Sequence, residues 1–281
     1  MIEQPGCGEG GVLSKFSLRD RVAVVTGSGR GIGKGIALTL AGAGADIVVV
    51  ARTMGDIEKT VEEVRARGRK ALAVKTDVMN SEQVQRLADE TLRHFGRIDI
   101  LVNNAGGSGG ARVSPLEMTE ADWDACVDLN LKSAFLCTRA VSKAMIERGK
   151  GGSIINISSV ARFGDVRSVA YVAAKAGIVA FTLGMSNYLA QHKIRVNCVS
   201  PGRVASAGTR NVGSDEERVK EAAIPLGRIG QPEDIALAIV YLASDAADWV
   251  TGVTLDVSGG ETFGGLKLRK AENYWGKAKK G

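Results

Sequence analysis

Tyr171 and Lys175 stand four residues apart in Tyr171-Val172-Ala173-Ala174-Lys175, within an apolar stretch that reads as a helix over 170–191. Residues at i and i+4 share a helix face, so the phenol and the ammonium can enter one site. An isolated phenol titrates at about pH 10, too high for ready proton exchange at neutrality. A nearby ammonium favours phenolate and should lower that value. Such a pair can give a proton to a carbonyl oxygen while hydride reaches the carbon, or reverse both transfers on an alcohol. Ser158 and Ser159 follow the apolar run 153–157. A hydroxyl placed there can polarise a carbonyl by hydrogen bonding.

A hydride carrier has a place earlier in the chain. Thr26-Gly27-Ser28-Gly29-Arg30-Gly31-Ile32-Gly33 follows a β-rich run, 22–25, and leads into Ile32, Ile36, Ala37 and Leu40 at helical spacing. A dinucleotide's diphosphate would meet there the backbone N–H groups and positive dipole of a helix start. Glycine is required because a side chain would block the turn and the approach of the phosphate. The strict GxGxxG spacing is absent, since Lys34 stands where it would close, and the pattern is TGxxxGxG. At the end of the second apolar run, where an acid would hold a ribose 2′-hydroxyl, the chain has Ala51 and then Arg52. Arg52 and Arg30 can converge on a 2′-phosphate, which favours NADP(H) over NAD.

The elements that must position these groups recur along the chain. Apolar runs at 22–25, 47–50, 71–74, 98–102, 153–157, 194–199 and 253–257 read as seven strands. They are largely apolar throughout instead of alternating, as strands covered on both faces of a parallel sheet are. Between them, Ile57, Val61 and Val64, and then Val84, Leu87, Ala88 and Phe95, recur at helical period. Residues 116–148 read as one long or two broken helices. Repeated βα units of this length predict a doubly wound, Rossmann-type α/β fold with right-handed crossovers. The expected organisation is a glycine-rich extension (1–20), a single catalytic domain (21–263) and a basic tail (264–281).

TGxxxGxG, Asn103-Asn104-Ala105-Gly106, Asn130, Ser159, the Tyr171/Lys175 pair and Pro201-Gly202 occur in that order. Together they resemble the motifs of the short-chain dehydrogenase/reductase family, over residues 17–262. The resemblance implies catalytic roles for Asn130, Ser159, Tyr171 and Lys175. It selects Ser159 over Ser158, has Lys175 also hold the nicotinamide ribose, and has Asn130 hold a water in a proton relay to Lys175. It lays the cofactor on Gly27, Ser28, Gly29, Arg30, Gly31, Ile32 and Gly33, with adenine beside Asp77 and Val78. Asn104, Ala105 and Gly106 would line its middle, and Pro201, Gly202 and Val204 its nicotinamide, with the Ser206 hydroxyl reaching the carboxamide. Tyr171 follows Ser159 one residue sooner than in many relatives, a contraction in the substrate-facing loop. Pro225-Leu226-Gly227-Arg228 and Gln231-Pro232-Glu233-Asp234 resemble a stretch of ketoacyl reductases. A 3-oxoacyl thioester is therefore the first substrate expected, ahead of a hydroxysteroid, sugar or other alcohol. A non-catalytic cofactor-binding regulator would be expected to lose the tyrosine, lysine or serine, and this chain has all three.

At 281 residues, 44% hydrophobic and 24% charged, the chain can bury a core without disulfide or metal staples. Cys7, Cys126, Cys137 and Cys198 form no CxxC pair and suit a reducing compartment, so a cytoplasmic protein is expected. The only histidines, His94 and His192, leave little room for a His-based metal site or a Ser-His-Asp triad. No signal-peptide-like run opens the chain, and no apolar stretch is expected to span a membrane. Nearly all of the net charge of +6 lies in the tail, without the folded basic face that a nucleic-acid site would want. That tail, with Tyr274 and Trp275, reads either as a solvated appendage or as a segment docking on a neighbouring subunit near the substrate rim. The rim itself is expected from residues 107–114 and 203–223. Val172, Ile178, Val179, Phe181 and Leu183 crowd around much of the Tyr171 helix, which is therefore expected to be covered on several sides. Relatives cover it with another subunit, which implies a homotetramer or homodimer.

Overall fold

The structure, a computed structural model, describes residues 11–107, 114–164, 168–205, 222 and 224–261. Ser206, Cys7, the whole C-terminal tail and most of the expected substrate rim lie outside the described residues. The seven strands are β1 (Val22–Thr26), β2 (Asp46–Ala51), β3 (Ala71–Lys75), β4 (Ile100–Asn103), β5 (Gly152–Ile157), β6 (Ile194–Pro201) and β7 (Thr254–Val257). They form one parallel sheet in the order β3-β2-β1-β4-β5-β6-β7. The expected doubly wound, single-domain architecture is the one observed.

Continuous apolar runs are needed because both faces of the sheet are covered. In β1, Ala23 and Val25 enter one core layer while Val22 and Val24 enter the other. The first layer is closed by α1 (Gly31–Gly42), α2 (Met54–Arg65) and α7 (Pro232–Ala243), through Leu40, Ile57 and Ile239 among others. The second is closed by α3 (Ser81–Phe95), α5 (Ser133–Arg148) and α6 (Val169–Leu189), through Leu87, Met145 and Leu189. From β3 the chain returns to lay β4 beside β1, so the helices that follow these two strands cover opposite faces of the sheet. Open α/β sheets bind ligands in the crevice at such a reversal.

One local feature sharpens the sequence reading and two differ from it. Residues 116–148 contain α4 (Glu120–Val127) and α5 joined directly by a π-helical turn, Asp128–Lys132, with Asn130 buried at its centre. Such turns widen the hydrogen-bond ladder and are common at functional sites. α7 was not anticipated, although Gln231 and Asp234 form a capping box around Pro232 at its first turn. It packs on α1 at a close crossing, where a Cβ on Gly35 would lie 2.4 Å from the Cβ of Pro232.

The second of these corrections concerns α6. By length and composition, Val169–His192 is apolar enough to cross a membrane, contrary to the expectation that no stretch would be. Its hydropathy has a structural cause. One side is buried through Ala170, Ala174, Ile178 and Leu189, while Leu183 and Tyr188 on other sides are exposed. A helix that carries a buried Lys175, Thr182 and Ser186 is built to pack on protein.

Candidate active site

The glycine turn sits at the carboxyl end of β1, facing the crevice. Thr26 ends that strand, and its Oγ1 accepts hydrogen bonds from the N–H groups of Asn104 and Ala105, each at 3.0 Å. Asn104 returns Nδ2–H to the Thr26 carbonyl at 2.9 Å, so the loops after β1 and β4 are stitched together. A Cβ on Gly33 would stand 2.2 Å from the Gly27 carbonyl oxygen, which only glycine permits. Gly31, with φ +57°, begins α1 after an extended Arg30, and no side chain among the described residues caps that helix. Its first-turn N–H groups are thus available to an anion.

Two adjoining cavities meet here and share Gly27, Arg30, Asn104 and Gly106. One is lined by Ala51, Arg52, Asp77, Val78 and Ala105, together with Gly29. The other is lined by Ile32, Gly33, Ser159, Tyr171, Lys175, Pro201 and Gly202. The arrangement fits an extended dinucleotide, with a glycine-floored middle, an arginine-bearing end and an end beside the phenol. Ser28 is placed differently. Its hydroxyl is fully buried, donating to the Val25 carbonyl at 2.6 Å and accepting from Val50 N–H at 2.9 Å, a bridge between β1 and β2. Val204 pairs with Gly230 through the backbone and, like Ser28 and Gly31, is not among the described lining residues. Thr53, Asp56, Thr76 and Leu129 line the first cavity without having been singled out. Asp56 had a usable signal, since it lies in the first turn of α2 just after Arg52.

At the other end, Tyr171 and Lys175 project from one face of α6 as their spacing requires. Lys175 is buried, donates to the Ile157 carbonyl at 2.8 Å, and holds its Nζ 5.5 Å from the centroid of the Tyr171 ring. Burial pushes its pKa down to about 8. The half-buried Tyr171 phenol is pushed above its ordinary value, because burial outweighs the opposing hydrogen bond from Ser159. The expected lowering of the phenol by the lysine is therefore not what this structure displays. Desolvation is the larger effect, and the ammonium is engaged with a strand carbonyl.

Both serines line this cavity, but their hydroxyls are engaged differently. Ser158 is buried and donates to the Lys175 carbonyl at 2.7 Å, tying β5 to α6. Ser159 faces the cavity beside Tyr171, and its Oγ accepts from Ala161 N–H at 3.1 Å. Asn130 reaches the loop after β4. Its Nδ2 donates to the carbonyls of Gly107 and Cys126 at 2.8 and 2.9 Å, and its Oδ1 accepts from Gly107 N–H at 3.0 Å. Gly106 passes so closely that a Cβ there would lie 2.6 Å from Asn130 Oδ1 and 3.2 Å from Lys175 Nζ. Ser159, Tyr171 and Lys175 are thus brought together with the glycine turn in one cleft, while Asn130 is buried beneath the Gly106-Gly107 backbone and lines neither cavity.

A parallel sheet with a glycine-floored crevice at its reversal, an uncapped helix start and a serine–tyrosine–lysine cluster defines a dinucleotide-binding oxidoreductase scaffold. Comparison with known proteins specifies which. Residues 27–262 match the family model described as enoyl-(acyl carrier protein) reductase. The chain is 44% identical over 252 residues to 2-dehydro-3-deoxy-D-gluconate 5-dehydrogenase of Escherichia coli, covering 89% of this chain and 98% of that one. It is also 44% identical over 247 residues to a 3-oxoacyl-(acyl-carrier-protein) reductase of a Synechocystis species, covering 87% and 98%. A solved 7α-hydroxysteroid dehydrogenase, complexed with NADH and 7-oxo glycochenodeoxycholic acid, superposes with a TM-score of 0.82 at 36% identity, covering 88% and 96%. The chain belongs to the short-chain dehydrogenase/reductase family of nicotinamide-dependent oxidoreductases.

Proposed function

We propose that this protein is an NADP(H)-dependent enzyme that interconverts a ketone and a secondary alcohol, acting through Ser159, Tyr171, Lys175 and Asn130. The observation that carries the reading is the convergence of Ser159, Tyr171 and Lys175 on the cavity that continues into the glycine turn. When bound, the nicotinamide supplies hydride at the carbonyl carbon. Ser159 already accepts from Ala161, which leaves its own proton to point at Tyr171 or at a substrate oxygen. The raised phenol stays protonated at neutral pH, the form required to donate to a carbonyl oxygen. Lys175, titrating at about 8, is suited to exchanging protons with that phenol near neutrality. Asn130 holds the Gly107 backbone from both sides and so fixes the loop over Lys175.

Arg30 and Arg52 support the choice of NADP(H). Both line the cavity that also holds Ala51 and Asp77, Arg30 bordering the phenol's cavity as well, and neither is paired with a carboxylate among the described residues. Arg52→Asp should lower the NADPH-over-NADH preference in kcat/KM by at least about tenfold, since Asp56 already lines the same cavity. Unchanged selectivity in steady-state kinetics would leave Arg52 as surface charge. A 3-oxoacyl thioester is the first substrate proposed, in line with the Synechocystis relative. The Escherichia coli relative favours a keto sugar acid as the second. A panel of both classes and of oxosteroids, assayed with each reduced cofactor, separates them.

The same reading makes the protein a cytoplasmic homo-oligomer. Leu183 and Tyr188 on α6, with Trp123 and Phe135 on the neighbouring helices, leave apolar surface exposed that a second copy can cover. Light scattering at micromolar concentration should give a dimer or tetramer, and a monomer would contradict this. The tail remains open to test by deletion of residues 266–281, which should weaken assembly or raise the substrate KM if it docks near the rim.

A further inference from the structure

Arg162 lies three residues beyond Ser159, on the short 3-10 helix Val160–Phe163, and its side chain is only 11% exposed. Its guanidinium reaches three strand ends at once. Nη2 donates to both carboxylate oxygens of Asp256 on β7, at 2.8 and 3.0 Å. Nη1 donates to the Ser200 hydroxyl on β6 and, at 3.4 Å, to the carbonyl of Ser159 just after β5. Ser200 and Asp256 are register partners, and Ser200 directly precedes Pro201 and Gly202 of the catalytic cavity. The Phe163 ring packs against the guanidinium, 4.1 Å from its carbon to the ring centroid.

We infer that Arg162 is a positioning residue that sets the Ser159 hydroxyl, an inference that rests on the proposed role of Ser159. The same 3-10 helix supplies the Ala161 N–H that occupies one lone pair of Ser159 Oγ. With the Ser159 carbonyl and Ala161 both held, the serine proton is confined to the direction of Tyr171 and of a bound carbonyl. Only a planar fork can serve Asp256, Ser200 and the Ser159 carbonyl together, so lysine cannot replace it. Buried, stacked on Phe163 and bonded through both terminal nitrogens, this cation is built for orientation at the mouth of the site.

The test is a double-mutant cycle in kcat between Arg162→Met and Ser159→Ala, with Arg162→Lys beside it. Arg162→Met should lower kcat ~30-fold with KM for the ketone within about threefold, because geometry at the reacting oxygen is lost and binding is not. Arg162→Lys should recover thermal stability but not kcat. In the Ser159→Ala background, adding Arg162→Met should cost less than about threefold more, since its target is already gone. Equal losses in both backgrounds, or kcat within about threefold of wild type in folded Arg162→Met, would overturn the inference. Should that variant fail to fold, Asp256→Asn, which weakens the fork from its other end, enters the same cycle with the same criteria. Tyr171→Phe is measured in parallel. Retained turnover there would overturn the acid–base reading and this inference with it, whereas additive Arg162 and Ser159 effects would overturn this inference alone.

Discussion

Tyr171→Phe should remove turnover while leaving NADPH affinity nearly unchanged. The ring still packs over Lys175 and beside Ser159, so the cavity keeps its shape. What disappears is the proton donor, and general acid catalysis contributes about 10²–10⁴-fold. The raised pKa argues for this role in the reducing direction, because at neutral pH the hydroxyl is a protonated donor in essentially every molecule. If the variant keeps more than about a tenth of the wild-type kcat/KM, a loss below ~1.4 kcal/mol, the acid is another group. Fluorescence titration of bound NADPH supplies the binding half of the prediction.

Lys175→Met should also reduce turnover by orders of magnitude, and it carries a second signature in stability. The ammonium is buried, and its pKa is held near 8, below the ordinary lysine value of 10.5. The unfolded chain therefore binds this proton more tightly than the folded one, and stability rises with pH between about 8 and 10.5. A difference of that size corresponds to ~3 kcal/mol across the window. The methionine variant lacks this dependence. The unfolding free energy of wild type relative to Lys175→Met should thus grow by ~3 kcal/mol from pH 7.5 to pH 10.5, measured by denaturant titration at each pH. A flat difference would mean that Lys175 titrates normally in the folded protein. The wild type bears this cost at neutral pH in order to keep an ammonium inside the site.

The strands were legible because a sheet covered on both faces makes unbroken apolar runs, as in residues 22–25, and Lys175 was legible because i and i+4 share a face. α7 was missed although its signs were local, with Pro232 at the first turn and Asp234 closing the capping box. Its apolar residues Ile235 to Ala243 form a nearly unbroken run, which obscures helical period. Ser28 was assigned to the cofactor by its place in the motif, but a hydroxyl can satisfy two strand groups by turning inward, and spacing alone says nothing of that. The phenol's shift depended on how deeply α6 is covered and on where the Lys175 ammonium finds an acceptor. Both are tertiary facts. Arg162 gave no signal, since its three partners lie 38 and 94 residues away and within its own turn.

In the proposed reaction this cleft delivers hydride from a reduced nicotinamide to a carbonyl carbon while Tyr171 protonates the oxygen. The most direct measurement uses NADPH deuterated at nicotinamide C4, incubated with the best ketone of the panel and the full-length protein. Mass spectrometry of the product alcohol should find deuterium on the carbinol carbon, with product formation nearly abolished in Tyr171→Phe. An unlabelled alcohol, or a labelled alcohol formed equally fast by Tyr171→Phe, would contradict it.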